Sequence, residues 1–232
     1  MRQSDLQDAR GLRLFQSMSE KSFETMMQAA FDQSFPAHVE LLREGEAPDF
    51  LYVVVDGCVE LYARSNERES TTAMVQPVNA FILAAVLRDA VALMSARTLQ
   101  RSRMLMIPAA SIRQAVDDDA AFARAVVIEL ADTYRSVIKE HKSLKLRTAV
   151  ERLANRLLCF DRDQGGGGRI ELPYDKRTLA SLLAMTPENL SRAFNTLGPY
   201  GVKVRGATIL ITDRQALTVL AKPNPLIDDP QT

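Results

Sequence analysis

Apolar positions along the chain change period several times, and each change marks a different kind of element. Over residues 12–31, Leu14, Phe15, Met18, Phe23, Met26, Met27 and Phe31 recur at helical spacing and predict one or two short amphipathic helices. The methionines of that stripe read as core filler rather than chemistry. From Ser34 the spacing shortens. Phe35, Val39, Leu41 and Leu42 lead into the polar turn Arg43-Glu44-Gly45-Glu46. A β-branched and aromatic run, Phe50 to Val55, is followed by Asp56-Gly57 and the alternating Cys58 to Tyr62. Asp-Gly between two such runs predicts a hairpin. Ala73 to Val75 and Arg103 to Ile107 read as further short strands. Several short strands separated by turns imply a small β-barrel or jelly roll.

From Asp117 the period becomes helical again. Asp117, Asp118 and Asp119 place negative charge where a helix N-terminus favours it. Beyond them Ala123, Val127, Leu130, Tyr134, Val137, His141 and Leu144 alternate spacings of four and three. That is a heptad seam over three repeats, which fits a core helix of one domain and, better, a parallel dimer helix with its regular spacing. Val127, Leu130, Tyr134, Val137, His141 and Leu144 form the predicted dimer contact, and residues such as Lys139 and Lys142 fill the other faces. Lys145 to Phe160 predict a further helix with Ala149, Leu153, Leu157 and Leu158 on its apolar side. Gly165 to Gly168 reads as a flexible linker, because no Gly-Lys-Ser/Thr follows that would make it a phosphate loop. Arg169 to Pro173 reads as a short strand. Lys222 to Thr232, with three prolines and two aspartates, reads as a disordered tail.

The stretch from Asp175 to Ile211 carries the chemistry. Asp175 caps a helix through Lys176, Leu179, Leu182 and Leu183, which breaks at Ala184-Met185. Thr186 is the next N-cap, Pro187 suits the first helical position, and Glu188 adds favourable charge to the first turn. The second helix runs through Leu190, Ala193, Phe194 and Leu197 to Gly198-Pro199. Two short helices joined by a tight turn make a helix-turn-helix. The polar face of the second holds Glu188, Asn189, Ser191, Arg192 and Asn195. Arginine can pair with guanine through two hydrogen bonds, glutamate accepts from the cytosine amino group, and serine is adaptable. Val202-Lys203-Val204, Arg205-Gly206 and Thr208 to Ile211 then predict a hairpin with a basic tip, a wing against phosphates.

Composition narrows the classes. The chain has 232 residues, 47% hydrophobic and 25% charged, enough for two ordinary globular domains. No apolar run reaches the ~20 residues that span a bilayer, and the polar segment Met1 to Arg10 does not read as a signal peptide. Cys58 and Cys159 are far apart without metal-ligand spacing, so a reducing cytoplasm is the expected setting. Net charge is zero, but residues 145–232 hold 13 Lys and Arg against 9 Asp and Glu. A mildly basic C-terminal part suits a polyanion. Catalytic spacings such as Ser/His/Asp, HExxH or a phosphate loop are missing, which argues against an enzyme.

With those residues in place, the sequence resembles the CRP/FNR family of bacterial transcription regulators. Leu42-Arg43-Glu44-Gly45-Glu46 through Tyr62 resembles that family's cyclic-nucleotide-binding-type β-roll. Leu179 to Arg192 resembles its recognition helix, in the Glu-x-x-Ser-Arg subtype. The resemblance covers about residues 12–215 and implies an α+β fold: a β-roll sensor (1–116), a dimerisation helix (117–144), a winged helix-turn-helix (145–221) and a tail (222–232). It implies a homodimer on an inverted repeat resembling TTGAT in double-stranded DNA, with RNA polymerase as partner and no membrane. Glu188, Ser191 and Arg192 would contact bases. Lys176, Thr186, Asn189, Asn195, Lys203 and Arg205 would contact the backbone.

The resemblance has gaps. Nucleotide-binding members carry Phe-Gly-Glu and, further on, Arg-Ser/Thr-Ala. The matching segments here are Phe81-Ile82-Leu83 and Ala92-Leu93-Met94. A cyclic phosphate beside them would lack its counter-charge, so no cyclic nucleotide is expected. No cysteine precedes Cys58, so no iron–sulfur cluster is expected either. The expectation is a non-nucleotide effector in an apolar pocket of Phe81, Ile82, Leu83, Val86, Leu93, Met94, Leu130 and Tyr134. The alternatives are a haem-based gas or redox sensor, with His38 as the candidate ligand, and a cyclic-nucleotide regulator with an atypical pocket. His38 stands where the family often has glycine, and His141 falls on the helix seam.

Overall fold

The computed structural model describes residues 9–66, 68–230 and 232; most of the polar segment Met1 to Arg10 lies outside them. The chain forms two units, Met1–Thr133 and Tyr134–Thr232, and the architecture is α+β. In the first unit two four-stranded antiparallel sheets face each other. One has the order β1 (Phe31–Phe35), β8 (Ser102–Pro108), β3 (Phe50–Asp56), β6 (Asn79–Phe81). The other has β2 (Glu40–Leu42), β7 (Ser95–Thr98), β4 (Val59–Ser65), β5 (Arg68–Val75). Helices α1 (Glu20–Gln28), α2 (Leu83–Arg88), α3 (Ala109–Asp118) and the start of α4 (Ala120–Leu146) complete it.

The unbroken apolar run of β3 has a direct cause. Its side chains alternate between two cores. Leu51 and Val53 enter the core shared with the helices, while Tyr52 and Val54 enter the core between the sheets. β8 does the same, with Leu105 and Ile107 on one side and Met104 and Met106 on the other. A strand covered on both faces reads as a continuous hydrophobic segment. The Asp56-Gly57 turn closes against β8. Gly57 has φ +99°, and a Cβ there would stand 2.3 Å from Ser102 Oγ. The second sheet carries a buried carboxylate: Glu60 is reached by Thr71 Oγ1 at 2.5 Å and Arg97 Nε at 2.7 Å.

Several sequence expectations shift by a few residues. Phe31 is not helical; α1 ends at Gln28 and Phe31 opens β1, edge-on to Phe50. Asp117 and Asp118 close α3 rather than opening the long helix. Asp119 alone does the capping, accepting from the N–H groups of Ala121 and Phe122 at 3.1 and 3.0 Å. It also takes the Ser19 N–H at 2.9 Å. These donors hold its carboxyl well below the usual carboxylate range. α4 has 27 residues, a length of ~40 Å.

The second unit holds the rest of α4, then α5 (Ala149–Asp163), β9 (Arg169–Glu171), α6 (Lys176–Leu182), α7 (Pro187–Leu197), β10 (Val202–Arg205), β11 (Thr208–Ile211), α8 (Arg214–Ala221) and α9 (Pro225–Asp228). α4 stops at Leu146, because Thr148 starts a new helix with a reciprocal capping box to Glu151. The Gly165–Gly168 loop is tied down rather than loose: Asp161 Oδ1 accepts from the Gly168 N–H at 2.7 Å, and the Ile211 N–H donates to the Gly168 carbonyl at 2.7 Å. Nor is the stretch after Lys222 a bare tail. Asn224 caps α9, and Asp228 pairs with Arg147. Its prolines suit this, since Pro225 sits in the first turn, where no N–H is needed.

Candidate nucleic-acid interface and sensor unit

Local capping chemistry builds the helix-turn-helix. Asp175 Oδ1 accepts from the Thr178 N–H at 2.7 Å and starts α6. Leu179, Ala180 and Leu183 are buried. The chain turns through Ala184, which has φ +50°, a left-handed conformation uncommon outside glycine and asparagine. Thr186 Oγ1 then accepts from the Asn189 N–H at 3.3 Å and starts α7. α7 buries Leu190, Ala193, Phe194 and Leu197 against α5 and the wing sheet.

Its opposite face is the candidate reading surface. Glu188, Asn189, Ser191, Arg192 and Asn195 are all exposed there, with Thr186 at its start. Arg192 Nη2 donates to Asn189 Oδ1 at 2.7 Å, which fixes the guanidinium along the helix. Glu188's own backbone N–H and the Thr186 hydroxyl keep its carboxyl below the ordinary range, so it is an acceptor at neutral pH. The wing follows directly. β10 and β11 pair from Val202↔Ile211 to Arg205↔Thr208, and β9 extends the sheet. Val202 and Ile209 are buried, while Lys203 and Arg205 are exposed. Lys176 is exposed in the first turn of α6 beside Arg177. Arg177 is a further exposed cation at this helix start. Two cations at a helix N-terminus oppose its dipole, a cost that an anionic partner would offset.

Most of the residues expected to line an apolar pocket divide between two cores. Leu83 and Val86 are buried in the helix-side core, Phe81 in the core between the sheets, and Ile82 packs partly against both. Met94 is half-buried and accepts the Thr72 hydroxyl at 2.9 Å. Leu93 is 80% exposed, and Tyr134 is 66% exposed on α4. Leu130 is half-buried against the sensor core. The remaining seam positions Val127, Tyr134, Val137, His141 and Leu144 are exposed. His38 is exposed at a turn with φ +64°, which accounts for glycine being suited to that position.

Two family descriptions match the chain: a cyclic nucleotide-binding domain over residues 32–119 and a Crp-like helix-turn-helix domain over residues 151–220. The chain belongs to the CRP/FNR family. This is a family of DNA-binding transcription regulators rather than of enzymes. The chain is similar to a CRP-like cAMP-activated global transcriptional regulator of Mycobacterium tuberculosis, 21% identical over 215 residues, covering 90% of this chain and 96% of the relative. Its fold is similar to FixK2 from Bradyrhizobium japonicum, 26% identical with a TM-score of 0.73, covering 84% of this chain and 98% of that one. It is also similar in fold to the c-di-GMP-responsive regulator CLP of Xanthomonas campestris, 16% identical with a TM-score of 0.71, covering 83% and 99%. The cyclic nucleotide implied by the first description does not fit the residues present. Neither Phe81-Ile82-Leu83 nor Ala92-Leu93-Met94 carries an ionisable side chain. Nearby on β7, Arg97 is already paired with Glu60 and Glu69 at 2.7 and 2.8 Å. Among the described residues no helix is long and apolar enough to cross a membrane.

Proposed function

We propose that this CRP/FNR-type regulator is a homodimer that reads an inverted repeat resembling TTGAT and recruits or obstructs RNA polymerase there, in the cytoplasm. One observation carries the reading. The exposed polar face of α7 holds Glu188, Ser191 and Arg192 at its N-terminal half, the end that enters a major groove. In this reading Arg192 pairs with the guanine, Glu188 accepts from the cytosine amino group on the complementary strand, and Ser191 lies against the thymines. Lys176, Arg177, Thr186, Asn189, Asn195, Lys203 and Arg205 hold phosphates and set the docking angle without reading sequence.

The effector is not a cyclic nucleotide in this reading, because a buried cyclic phosphate requires charge-assisted partners and the two matching segments offer none. The fold leaves the effector open: relatives of the same architecture are named for cAMP in one case and for c-di-GMP in another, and function follows the site rather than the fold. Calorimetry with cAMP should give no measurable heat of binding, and micromolar affinity would overturn the assignment.

The DNA reading is tested by fluorescence anisotropy on a duplex carrying TTGAT and its inverted partner, against a scrambled duplex at the same salt. Specific binding should fall steeply with added salt. Arg192→Ala should cost about 1–3 kcal/mol on the specific duplex and little on the scrambled one. Equal affinity of Arg192→Ala and the parent for the specific site would show that Arg192 does not read a base.

A further inference from the structure

The C-terminal segment binds back onto the unit that carries the DNA-reading helix. It crosses a cavity of about 320 Å³ between the end of α4 and the face of α5. Asp228 receives both guanidinium arms of Arg147, one of them at 2.8 Å. Arg147 lies between α4 and α5, and its side chain is 7% exposed. From the α4 side, Lys139 Nζ donates to the Asp229 carbonyl at 2.7 Å, and Arg135 donates to the Thr232 carbonyl. From the α5 side, Arg162 Nη1 donates to the Asp228 carbonyl at 3.0 Å. Arg135 and Lys139 lie four residues apart, on one stripe of α4 beside the exposed apolar face.

We propose that Pro223–Pro230 is an intramolecular strap that fixes the joint between α4 and α5, with Asp228 on Arg147 as its latch. The joint itself is only two residues long, Arg147 and Thr148. A helix pair joined by so short a link can re-angle only if contacts across it release. The strap is gripped from both helices, so it must detach before they move. The latch is strong where it is formed, because the pair is mostly removed from water and bidentate. It is also reversible, because both partners regain hydration when they separate. The group that Arg147 holds in the wall of this cavity is therefore acidic: here the chain's own Asp228, and in regulation an acidic ligand able to displace it. Coupling of the strap to DNA affinity rests on the DNA-reading proposal; the strap itself does not.

Cys159 supplies a reporter, since it lines the same cavity as Ile227 and Asp228. Cys58 is a quiet background because it is buried in the sensor unit while Cys159 is half-buried; burial pushes both thiols up. The experiment measures the rate of Cys159 modification by a neutral thiol reagent in the full chain, in Asp228→Asn, and in a chain ending at Lys222. None of the residues removed belongs to the buried core of this unit, and a thermal melt checks that it stays folded. Both variants should label at least about tenfold faster, the rise expected if the latch favours the strapped state by 1.4 kcal/mol. The exchanged pair Arg147→Asp with Asp228→Arg should return the slow rate. Equal rates in all chains would overturn the strap, and failure of the exchanged pair to restore protection would overturn the latch. In parallel, the shortened chain should bind the TTGAT duplex with an affinity changed by more than about threefold, a difference of roughly 0.7 kcal/mol. Fast labelling with unchanged DNA affinity would overturn the coupling alone.

Discussion

Two small residues show how the backbone decides the sign of a substitution. Ala184 sits in the helix-turn-helix at φ +50°, exposed. A left-handed conformation costs a residue with a Cβ ~1–2 kcal/mol. Glycine escapes that cost but loses ~0.5–1 kcal/mol to the greater freedom of the unfolded chain. Ala184→Gly should therefore stabilise the second unit by about 0.5–1 kcal/mol, read from urea unfolding at constant slope. Gly57 runs the other way. Its φ is +99° and the missing Cβ would meet Ser102 at 2.3 Å, so Gly57→Ala adds left-handed strain to overpacking worth ~1–3 kcal/mol. It should lower the urea midpoint of the sensor unit markedly. An Ala184→Gly protein less stable than its parent would mean that the turn is not left-handed in solution.

Elements set by nearest-neighbour chemistry were legible in the sequence; those set by packing were not. The helix-turn-helix could be read because Asp175, Thr186 and Pro187 act within one turn of themselves. The run at Phe50–Val55 announced a strand, but only the fold sends Tyr52 into one core and Val53 into the other. For the same reason Phe81 and Leu83, two residues apart, end in different cores. The three aspartates before α4 looked equivalent, yet only Asp119 meets the N–H groups of Ala121, Phe122 and Ser19. Its carboxyl titrates far below the ordinary value, so it adds stability at any pH above its unfolded pKa of ~3.9. That contribution should fade as pH falls through the folded value. Asp119→Asn keeps an oxygen for the Ala121 and Phe122 N–H groups but removes the charge and sets an amide NH2 against the Ser19 N–H, so it should lower the stability of the sensor unit at pH 7 by ~1–2 kcal/mol. The gap between variant and parent in urea midpoint should narrow steadily below about pH 4. A gap that stays constant down to pH 2 would show that the charge of Asp119 is not what stabilises α4.

At the scale of the whole molecule, the feature that needs a partner is α4. Its first turns are anchored inside the sensor unit, with Phe122 stacked on Phe15 at 5.9 Å and Val126 buried. Beyond that anchor Val127, Tyr134, Val137 and Leu144 remain in water, with Val137 at 58% exposure. Monomeric proteins seldom leave a contiguous apolar strip of this kind uncovered. In the proposed homodimer a second copy of the same helix would cover it with the same residues, as two-fold symmetry requires. Each large side chain fully covered contributes ~1.5–3 kcal/mol, and several act on each helix. Placing carboxylates on the strip reverses the balance, because paired helices would bring like charges together in a dry seam. Val137→Glu combined with Leu144→Glu should give a monomer by light scattering on the eluting peak at micromolar concentration, where the parent should elute as a dimer. Because both residues are exposed in the single chain, thermal unfolding of the sensor core should change little. On DNA, the monomer should lose the advantage of two half-sites read together, so that affinity for the inverted repeat drops to that for one TTGAT half-site. A double variant that still elutes as a dimer would place the dimer contact elsewhere and leave the apolar strip of α4 to another partner.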